Sequence, residues 1–307
     1  MTGLRALGLA AALAALLLPA GAPAYLVTFS LQLFMYVVLA GSWNIVSGFT
    51  GYTSFGHVAF FGIGAYTAAI LITRLGMAWP LAALAGGAMA LVLGLPVGAI
   101  CLRLKGPYFA IAMLGFAESL RLLATLWTSL TKGGTGITLP PIQTLVPTYY
   151  AMLACVAAVV GVNYRIATSS FGLRLLSIRE DERGAEAIGI NTTTHKIAAF
   201  ALSTIFPGIV GGLYAQYISY VDPSSIFLTL ITVQTIIMTI LGGAGTVLGP
   251  VLGATTISVV QEVLWARFPH IHQGLLGVLI IGVILFLPGG VVEVLKEWRL
   301  LPRVRSI

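Results

Sequence analysis

Residues 274–287 read GLLGVLIIGVILFL, an apolar run without one charged side chain. Such a run favours a membrane-spanning helix, because a transmembrane strand would alternate apolar and polar residues over about ten positions. The rest of the 307-residue chain is similar: 58% of its residues are hydrophobic, 8% are charged, and its mean hydropathy is +1.01. So few charges cannot coat a water-soluble globule. The sequence predicts an all-α, polytopic bundle of transmembrane helices.

Proline, glycine and charged residues divide the chain into about ten apolar segments, and a membrane helix needs about 20 apolar residues. The predicted spans cover residues 5–20, 24–47, 56–74, 79–101, 107–130, 145–164, 196–221, 225–243, 247–265 and 273–291. The 36 glycines fit this interpretation, because small residues let membrane helices approach closely. We expect residues 1–307 to form a single transmembrane domain.

The first apolar segment has two interpretations. Residues 1–24 combine Arg5, an apolar stretch and a tail of small residues, which is also the pattern of a secretory signal peptide. A retained first helix is the preferred interpretation, because many further spans follow it.

Residues 169–196 form the only long polar segment, and we expect a water-exposed loop there. If the positive-inside rule places this loop in the cytoplasm, alternation through ten spans brings most other basic residues to the same side. Arg74, Lys132 and Arg267 are the exceptions that fall on the other side. This charge distribution favours a multi-pass protein with both termini in the cytoplasm.

Several kinds of chemistry lack their residues in this chain. No G-x-x-x-x-G-K-[ST] phosphate loop occurs, so we expect no ATP binding by that route. Cys101 and Cys155 have no metal-ligand or redox spacing, and the net charge of +7 is scattered rather than gathered into a nucleic-acid-binding stripe. We therefore expect no metal, no cofactor and no nucleic-acid partner. The dispersed histidines and acids also argue against a membrane enzyme, which needs clustered catalytic groups.

Ionisable residues inside the predicted spans are few, namely His57, Glu118, Arg121 and Glu262. Ion-coupled carriers usually hold buried acids in their spans, so a self-contained carrier is disfavoured. Glu118 and Arg121 are three residues apart on one helix face, which favours a structural ion pair. The alternative is that Glu118 lines a translocation pathway. Glu262 and Asp222 lie near predicted outer ends of spans, where water can hydrate them.

Residues 48–57, GFTGYTSFGH, are polar and uncharged, yet they lead directly into an apolar helix. Irregular backbone at membrane depth persists only where protein or a water cavity satisfies its polar groups. Thr53, Ser54 and His57 are therefore candidates for lining the pathway. The alternative is an interfacial turn in which His57 hydrogen-bonds the interrupted backbone. Residues 245–249 form a similar glycine-bracketed turn, as in transporters built from paired halves, although chance similarity is the preferred interpretation.

Within the polar segment, residues 185–190 predict a short helix closed by Gly189 in the left-handed conformation. A short helix in a loop of mixed charge suits a docking surface for a soluble partner. A merely solvated loop is equally compatible with the composition.

Four stretches, in order, resemble the permease subunits of bacterial branched-chain amino-acid ABC importers, specifically their LivM type. They are residues 41–66, residues 106–121 with 131–137, residues 177–191 and residues 241–254. The third resembles the E-A-A signature through which importer permeases engage their ATPases, which implies a cytoplasmic coupling loop at about residues 166–195. The implied coupling residues are Arg179, Asp181, Glu186, Ala187 and Gly189. Tyr66 and Phe109, in the first two stretches, join Thr53, Ser54, His57 and Glu118 as pathway candidates.

The resemblance implies a transporter subunit rather than an enzyme, located in the bacterial cytoplasmic membrane. The implied partners are a second, LivH-type permease, two cytoplasmic ATPases that bind ATP and Mg, and a periplasmic or extracellular solute-binding protein. The leading substrates are branched-chain amino acids, with urea, short amides or aromatic acids as alternatives. An ion-coupled secondary carrier is the more remote alternative.

Overall fold

A computed structural model describes residues 13–268 and, beyond them, residues 271, 274, 277, 290, 292 and 293. Seven of the described helical segments are long and apolar enough to cross a membrane. They are Ala24–Gly48, His57–Leu75, Trp79–Cys101, Pro107–Leu126, Val146–Thr168, Thr192–Ile218 and Pro223–Gly242. The predicted all-α, polytopic architecture is therefore confirmed.

The described elements follow one another in this order: α1 (residues 13–21), α2 (Ala24–Trp43), a π-helix (Asn44–Gly48), α3 (His57–Leu75), α4 (Trp79–Cys101), α5 (Pro107–Leu126), α6 (Thr128–Thr131), a 3-10 helix (Gly133–Thr135), β1 (Ile137–Thr138), α7 (Val146–Thr168), α8 (Ser170–Glu180), α9 (Glu182–Ala187), α10 (Thr192–Ile218), β2 (Tyr220–Val221), α11 (Pro223–Ile226), α12 (Thr229–Gly242) and α13 (Gly249–Arg267). The two short strands pair antiparallel, with Ile137 opposite Val221.

The helices correspond closely to the predicted apolar segments. Proline stands in the first turn of α4, α5 and α7, where its missing N–H removes no helical hydrogen bond. Gly76 ends α3 in the left-handed conformation, with φ of 61°. The predicted span 247–265 corresponds to the helix α13, but α13 is not among the seven segments named above. Residues 13–20 of the first predicted span are helical. The last predicted span, residues 273–291, falls almost entirely outside the described residues.

Three helices, α3, α4 and α10, pack with their backbones in contact. A Cβ atom on Gly64 of α3 would lie 1.9 Å from the carbonyl oxygen of Gly208 on α10. A Cβ atom on Gly86 of α4 would lie 2.8 Å from the Gly64 carbonyl oxygen. Only glycine permits such approach, as expected for small residues between membrane helices. These contacts form the centre of the bundle.

The polar contacts distinguish two ends of the bundle. At the end that carries α8 and α9, called the charged end below, the Arg179 side chain reaches the carbonyl of Gly48. At the opposite end lie the β1–β2 pair and a hydrogen bond from the Tyr25 hydroxyl to the carboxylate of Glu262. The chain therefore alternates between the two ends as the predicted succession of spans requires.

Asp222, at the opposite end, is buried, whereas the sequence predicted that water would hydrate it. It is only 8% exposed, and its carboxylate accepts hydrogen bonds from the backbone N–H groups of Ser224 and Ser225 at 3.1 and 3.0 Å. Burial alone would raise the pKa of Asp222, but these hydrogen bonds outweigh it and hold the pKa below its ordinary value. Asp222 is the N-cap of α11.

Candidate functional site

Two irregular segments meet at the charged end. The first follows α2: the π-helix ends at Gly48, and residues 51–56 are non-helical before α3 begins. The second joins α12 to α13 and contains Gly243 and Gly245, with φ of 120° and 85°. A Cβ atom on Gly48 would lie 2.7 Å from the backbone nitrogen of Gly245, so the two backbones touch. The two glycine-bracketed turns found in the sequence are thus neighbours in space.

Asn44 fastens these segments together inside the bundle. Its Oδ1 accepts a hydrogen bond from the Gly245 N–H at 2.7 Å, and its Nδ2 donates to the carbonyl of Thr246 at 2.9 Å. Nδ2 also donates to Oδ1 of Asn163 on α7 at 2.9 Å. Both asparagines are at most 1% exposed. Their amide groups satisfy backbone groups that the broken helices leave without partners.

The side chain of Arg179, on α8, reaches the place where the two irregular segments meet, which we call the junction. Its Nη1 donates to the carbonyl of Gly48 at 2.6 Å. A Cβ atom on Gly245 would lie 2.7 Å from that Nη1, and one on Gly51 would lie 3.1 Å from the Arg179 Cγ. A single guanidinium therefore touches both irregular segments, and glycine at these positions makes room for it.

Glu182, at the start of α9, forms a second connection to the bundle. Its carboxylate accepts hydrogen bonds from Lys196 Nζ of α10 and from the Tyr52 hydroxyl, both at 2.7 Å. Lys105, after α4, approaches the same carboxylate at 3.8 Å. Burial alone would raise the pKa of Glu182, but the bonds from Lys196 and Tyr52 outweigh it and lower the pKa. Three other chain segments thus converge on the carboxylate of Glu182.

Lys196 corrects the expectation that residues 169–196 form a water-exposed loop. The segment is largely helical, and Lys196 is 4% exposed within the first turns of α10. Its ammonium is buried because Glu182 supplies the compensating charge. Sequence reasoning missed Tyr52, Glu182 and Lys196 as a group. A lysine at the start of an apolar helix was the available signal, since such a cation needs a partner.

The remaining coupling candidates lie on α9 and just after it. Asp181 caps α9 by accepting from the Arg183 N–H at 3.0 Å, and Glu186 accepts from the Thr192 hydroxyl at 2.8 Å. Gly189 has φ of 86°, the left-handed conformation predicted for it. Glu186, Ala187 and Gly189 are exposed.

An exposed surface therefore forms at the end of α9, and it includes an apolar side chain. Ile188, between the coupling candidates Ala187 and Gly189, is 75% exposed. Ala185, one turn back, is buried and anchors the helix. We call residues 186–189 the α9 tip.

The pathway candidates fall into separate places. Ser54 and His57 are buried and adjacent, with Ser54 Oγ 3.1 Å from His57 Nδ1, and His57 Nε2 has no hydrogen-bond partner among the described residues. Thr53 is exposed on the same segment. Phe109 is fully buried against Tyr52. Ser54, His57 and Phe109 thus lie buried inside the bundle, next to its charged end.

Tyr66 and Glu118 lie away from that region. Tyr66 stacks on Phe227, and its hydroxyl has no partner in the described part of the chain. Glu118 pairs with Arg121, whose Nε donates to both carboxylate oxygens at 3.0 and 2.9 Å. The ion pair expected from their spacing is therefore formed. The described residues contain no cluster of histidine, cysteine or acidic side chains suited to a metal ion.

Comparisons with known proteins place this chain in a family. The sequence model for the permease component of branched-chain amino acid transport systems matches residues 25–284. The chain is 29% identical to the high-affinity branched-chain amino acid transport system permease protein LivM of Salmonella typhimurium, over 85% of this chain and 68% of that protein. Its identity to LivM of Escherichia coli is 28%, with the same coverage.

A relative named for another solute matches less of the chain. The autoinducer 2 import system permease protein LsrC of Salmonella typhi is 26% identical over 69% of this chain and 63% of that protein. No solved structure matches. The family match covers most of the residues that build both irregular segments, α8 and α9. This chain belongs to the family of ABC-transporter permeases of the branched-chain amino acid transport system.

Proposed function

We propose that this chain is a LivM-type membrane subunit of an ATP-driven importer of branched-chain amino acids. The names of the two LivM relatives support that substrate class. The LsrC relative supports a second candidate, import of a different small polar solute, within which urea, short amides and aromatic acids remain alternatives. In this proposal the charged end faces the cytoplasm of a bacterial cell, and both termini lie on that side.

The proposed partners are a LivH-type permease, two ATPases that bind ATP and Mg, and a solute-binding protein on the other side of the membrane. The α9 tip is the proposed contact with an ATPase. It combines the Glu186 carboxylate, the exposed Ile188 side chain and the small residues Ala187 and Gly189. A polar rim around one apolar side chain is typical of a protein docking surface.

The observation that carries the proposal is the position of Arg179. Its helix, α8, is followed directly by α9, which ends in the α9 tip, and its guanidinium contacts both irregular segments. A displacement of α8 and α9 by an ATPase would therefore move the breaks after α2 and after α12 together. We call α8 and α9 together the lever. ATPases that bind two arrangements of the lever with different affinity would shift the permease between two states.

The test uses the assembled importer, purified with its ATPases and reconstituted with its binding protein. Glu186→Lys reverses a charge on the α9 tip, and we expect it to reduce the amount of ATPase that co-purifies. Arg179→Lys keeps the charge but loses the planar guanidinium, so we expect normal assembly with ATP hydrolysis that no longer drives uptake. Lys132→Glu, an exposed charge reversal at the opposite end, is the matched control for ATPase association and should leave the amount of co-purified ATPase unchanged.

Two results would overturn the proposal. Uptake by the reconstituted chain without ATPases would identify a self-contained carrier. Normal ATPase association and normal coupled uptake in both Glu186→Lys and Arg179→Lys would show that α8 and α9 are not the lever.

A further inference from the structure

A cleft of about 360 Å³ opens between α2 and α13, toward the end opposite α8 and α9. Polar side chains from both helices line it: Tyr25, Gln32 and Tyr36 from α2, and Ser258, Gln261 and Glu262 from α13. Its volume falls in the range of small-molecule pockets, which begins at about 300 Å³. None of the pathway candidates from the sequence lines it.

Ser258, on α13, is a buried polar residue of the cleft wall. The residue is 9% exposed, and its Oγ makes no hydrogen bond within the described part of the chain. Serine and threonine in helices commonly bond the carbonyl four residues earlier, as Thr255 does to Val251 at 2.7 Å. Ser258 makes no such bond, and the residue belongs to the wall of the cleft. A buried polar atom in this position lacks what a ligand would supply.

Glu262 lies one helical turn beyond Ser258 and therefore on the same face of α13. Its carboxylate accepts a hydrogen bond from Tyr25 across the cleft. No lysine, arginine or histidine is among the described residues that line the cleft, so its charge is negative. A carboxylate on the wall of a cleft can receive the cationic group of a solute through charge-assisted hydrogen bonds.

The remaining lining provides the other groups that an amino acid needs. Gln32 and Gln261 carry amide donors suited to a carboxylate. Phe29, Leu33 and Trp265 supply apolar surface for a hydrocarbon side chain, and Trp265 also offers a ring face to a cation. The arrangement fits a zwitterion whose side chain is apolar.

The cleft is also connected to the lever at the charged end. Tyr36, on the cleft wall, donates its hydroxyl to Gln234 of α12. Eight residues further along the same helical run, Asn44 holds the segment between α12 and α13. The two helices that shape the cleft are thus the two whose ends Arg179 touches.

We propose that this cleft binds the transported solute on its way through the permease, with Glu262 and Ser258 receiving its ammonium group and the glutamines its carboxylate. This inference rests on the proposed import of an amino acid. The same ammonium chemistry could be offered by an ethanolamine lipid headgroup. We assign the cleft to the free solute, because the apolar lining and the paired amides match both ends of an amino acid.

The experiment measures uptake of L-leucine by the full importer in vesicles of phosphatidylglycerol, with and without phosphatidylethanolamine. We expect Glu262→Gln to lower the maximal uptake rate at least tenfold and Ser258→Ala about threefold, in both kinds of vesicle and with normal ATPase association. Thr256→Ala, an exposed hydroxyl deletion on the same helix, is the matched control and should leave uptake unchanged.

A second measurement tests which fragments of the leucine molecule displace bound radiolabelled leucine from the importer when the binding protein is absent. Isopentylamine, which keeps the ammonium of leucine, should compete with radiolabelled leucine, whereas 4-methylpentanoate, which lacks it, should not. Glu262→Gln should abolish the competition by isopentylamine.

The outcomes separate the two proposals. If the wild-type importer takes up leucine, and both variants show the same uptake and the same competition as wild type, the cleft assignment alone is overturned. Effects of Glu262→Gln that occur only with phosphatidylethanolamine present would overturn it in favour of a lipid. Failure of the intact wild-type importer to take up any amino acid would overturn the proposed substrate, and the cleft assignment with it.

Discussion

The junction at the charged end and the cleft between α2 and α13 differ in how their polar groups are satisfied. At the junction, Asn44, Asn163 and Lys196 are buried and fully engaged with named partners. In the cleft, Ser258 has no partner among the described residues, and Glu262 accepts a hydrogen bond from the Tyr25 hydroxyl. Satisfied buried networks fix a geometry, whereas unsatisfied ones are suited to a visiting ligand. The difference suggests that one region transmits movement and the other contacts solute.

The largest expected effect on stability comes from removing Lys196, the cation that pairs with Glu182 at the charged end. Lys196→Met leaves the Glu182 carboxylate largely buried without its main partner, and we expect a loss of about 3 kcal/mol in the free energy of unfolding. Thermal unfolding of the purified chain in detergent measures it. Lys105→Met is the control, because Lys105 is 62% exposed and 3.8 Å away, and should cost less than about 1 kcal/mol. Equal effects of the two variants would contradict the described geometry.

A pair of serines tests the contrast between the regions directly. Ser203 is buried within α10 and donates to the Phe200 carbonyl at 2.6 Å, so Ser203→Ala should destabilise the chain by about 1 kcal/mol. Ser258→Ala removes a hydroxyl that has no partner in the part of the chain that the structure describes, so thermal stability should stay unchanged or rise. A stability loss in Ser258→Ala as large as that in Ser203→Ala would show that Ser258 is structurally engaged.

The smallest expected effect is a pH dependence from Glu182. Its pKa is lower in the folded chain than its ordinary value, so its charge stabilises the fold above about pH 4.3. That contribution is lost as the pH falls from there through the lowered pKa. The difference in melting temperature between wild type and Glu182→Gln should therefore stay constant from pH 7 to about pH 4.3 and shrink on further acidification. A difference that stays constant throughout would show that the carboxylate charge is not what Lys196 and Tyr52 stabilise.

Sequence reasoning reached the fold because apolar runs and their glycine and proline boundaries are local signals. It also reached the left-handed Gly189 and the pairing of Glu118 with Arg121, since both depend on neighbours within a few residues. It treated Glu262 as hydrated at a span end. The structure adds that Tyr25, 237 residues away, donates its hydroxyl to that carboxylate.

The junction escaped sequence reasoning for the same physical reason. Arg179 meets Gly48 across 131 residues, and Asn44 meets Gly245 across 201. Such contacts depend on how helices pack, and no local pattern specifies them. The two glycine-bracketed turns were visible in the sequence, but their contact was not.

The glycine contacts between α3, α4 and α10 determine which parts of the bundle can change position. At Gly64, Gly86 and Gly208 the main chains are so close that sliding or rotating one of these helices would drive it into its neighbour. The helices α3, α4 and α10 must therefore move as one rigid body. Any rearrangement has to occur at the borders of this body, for example where α2 meets the α12–α13 pair, which close contacts at Gly242 and Gly253 hold together in the same way.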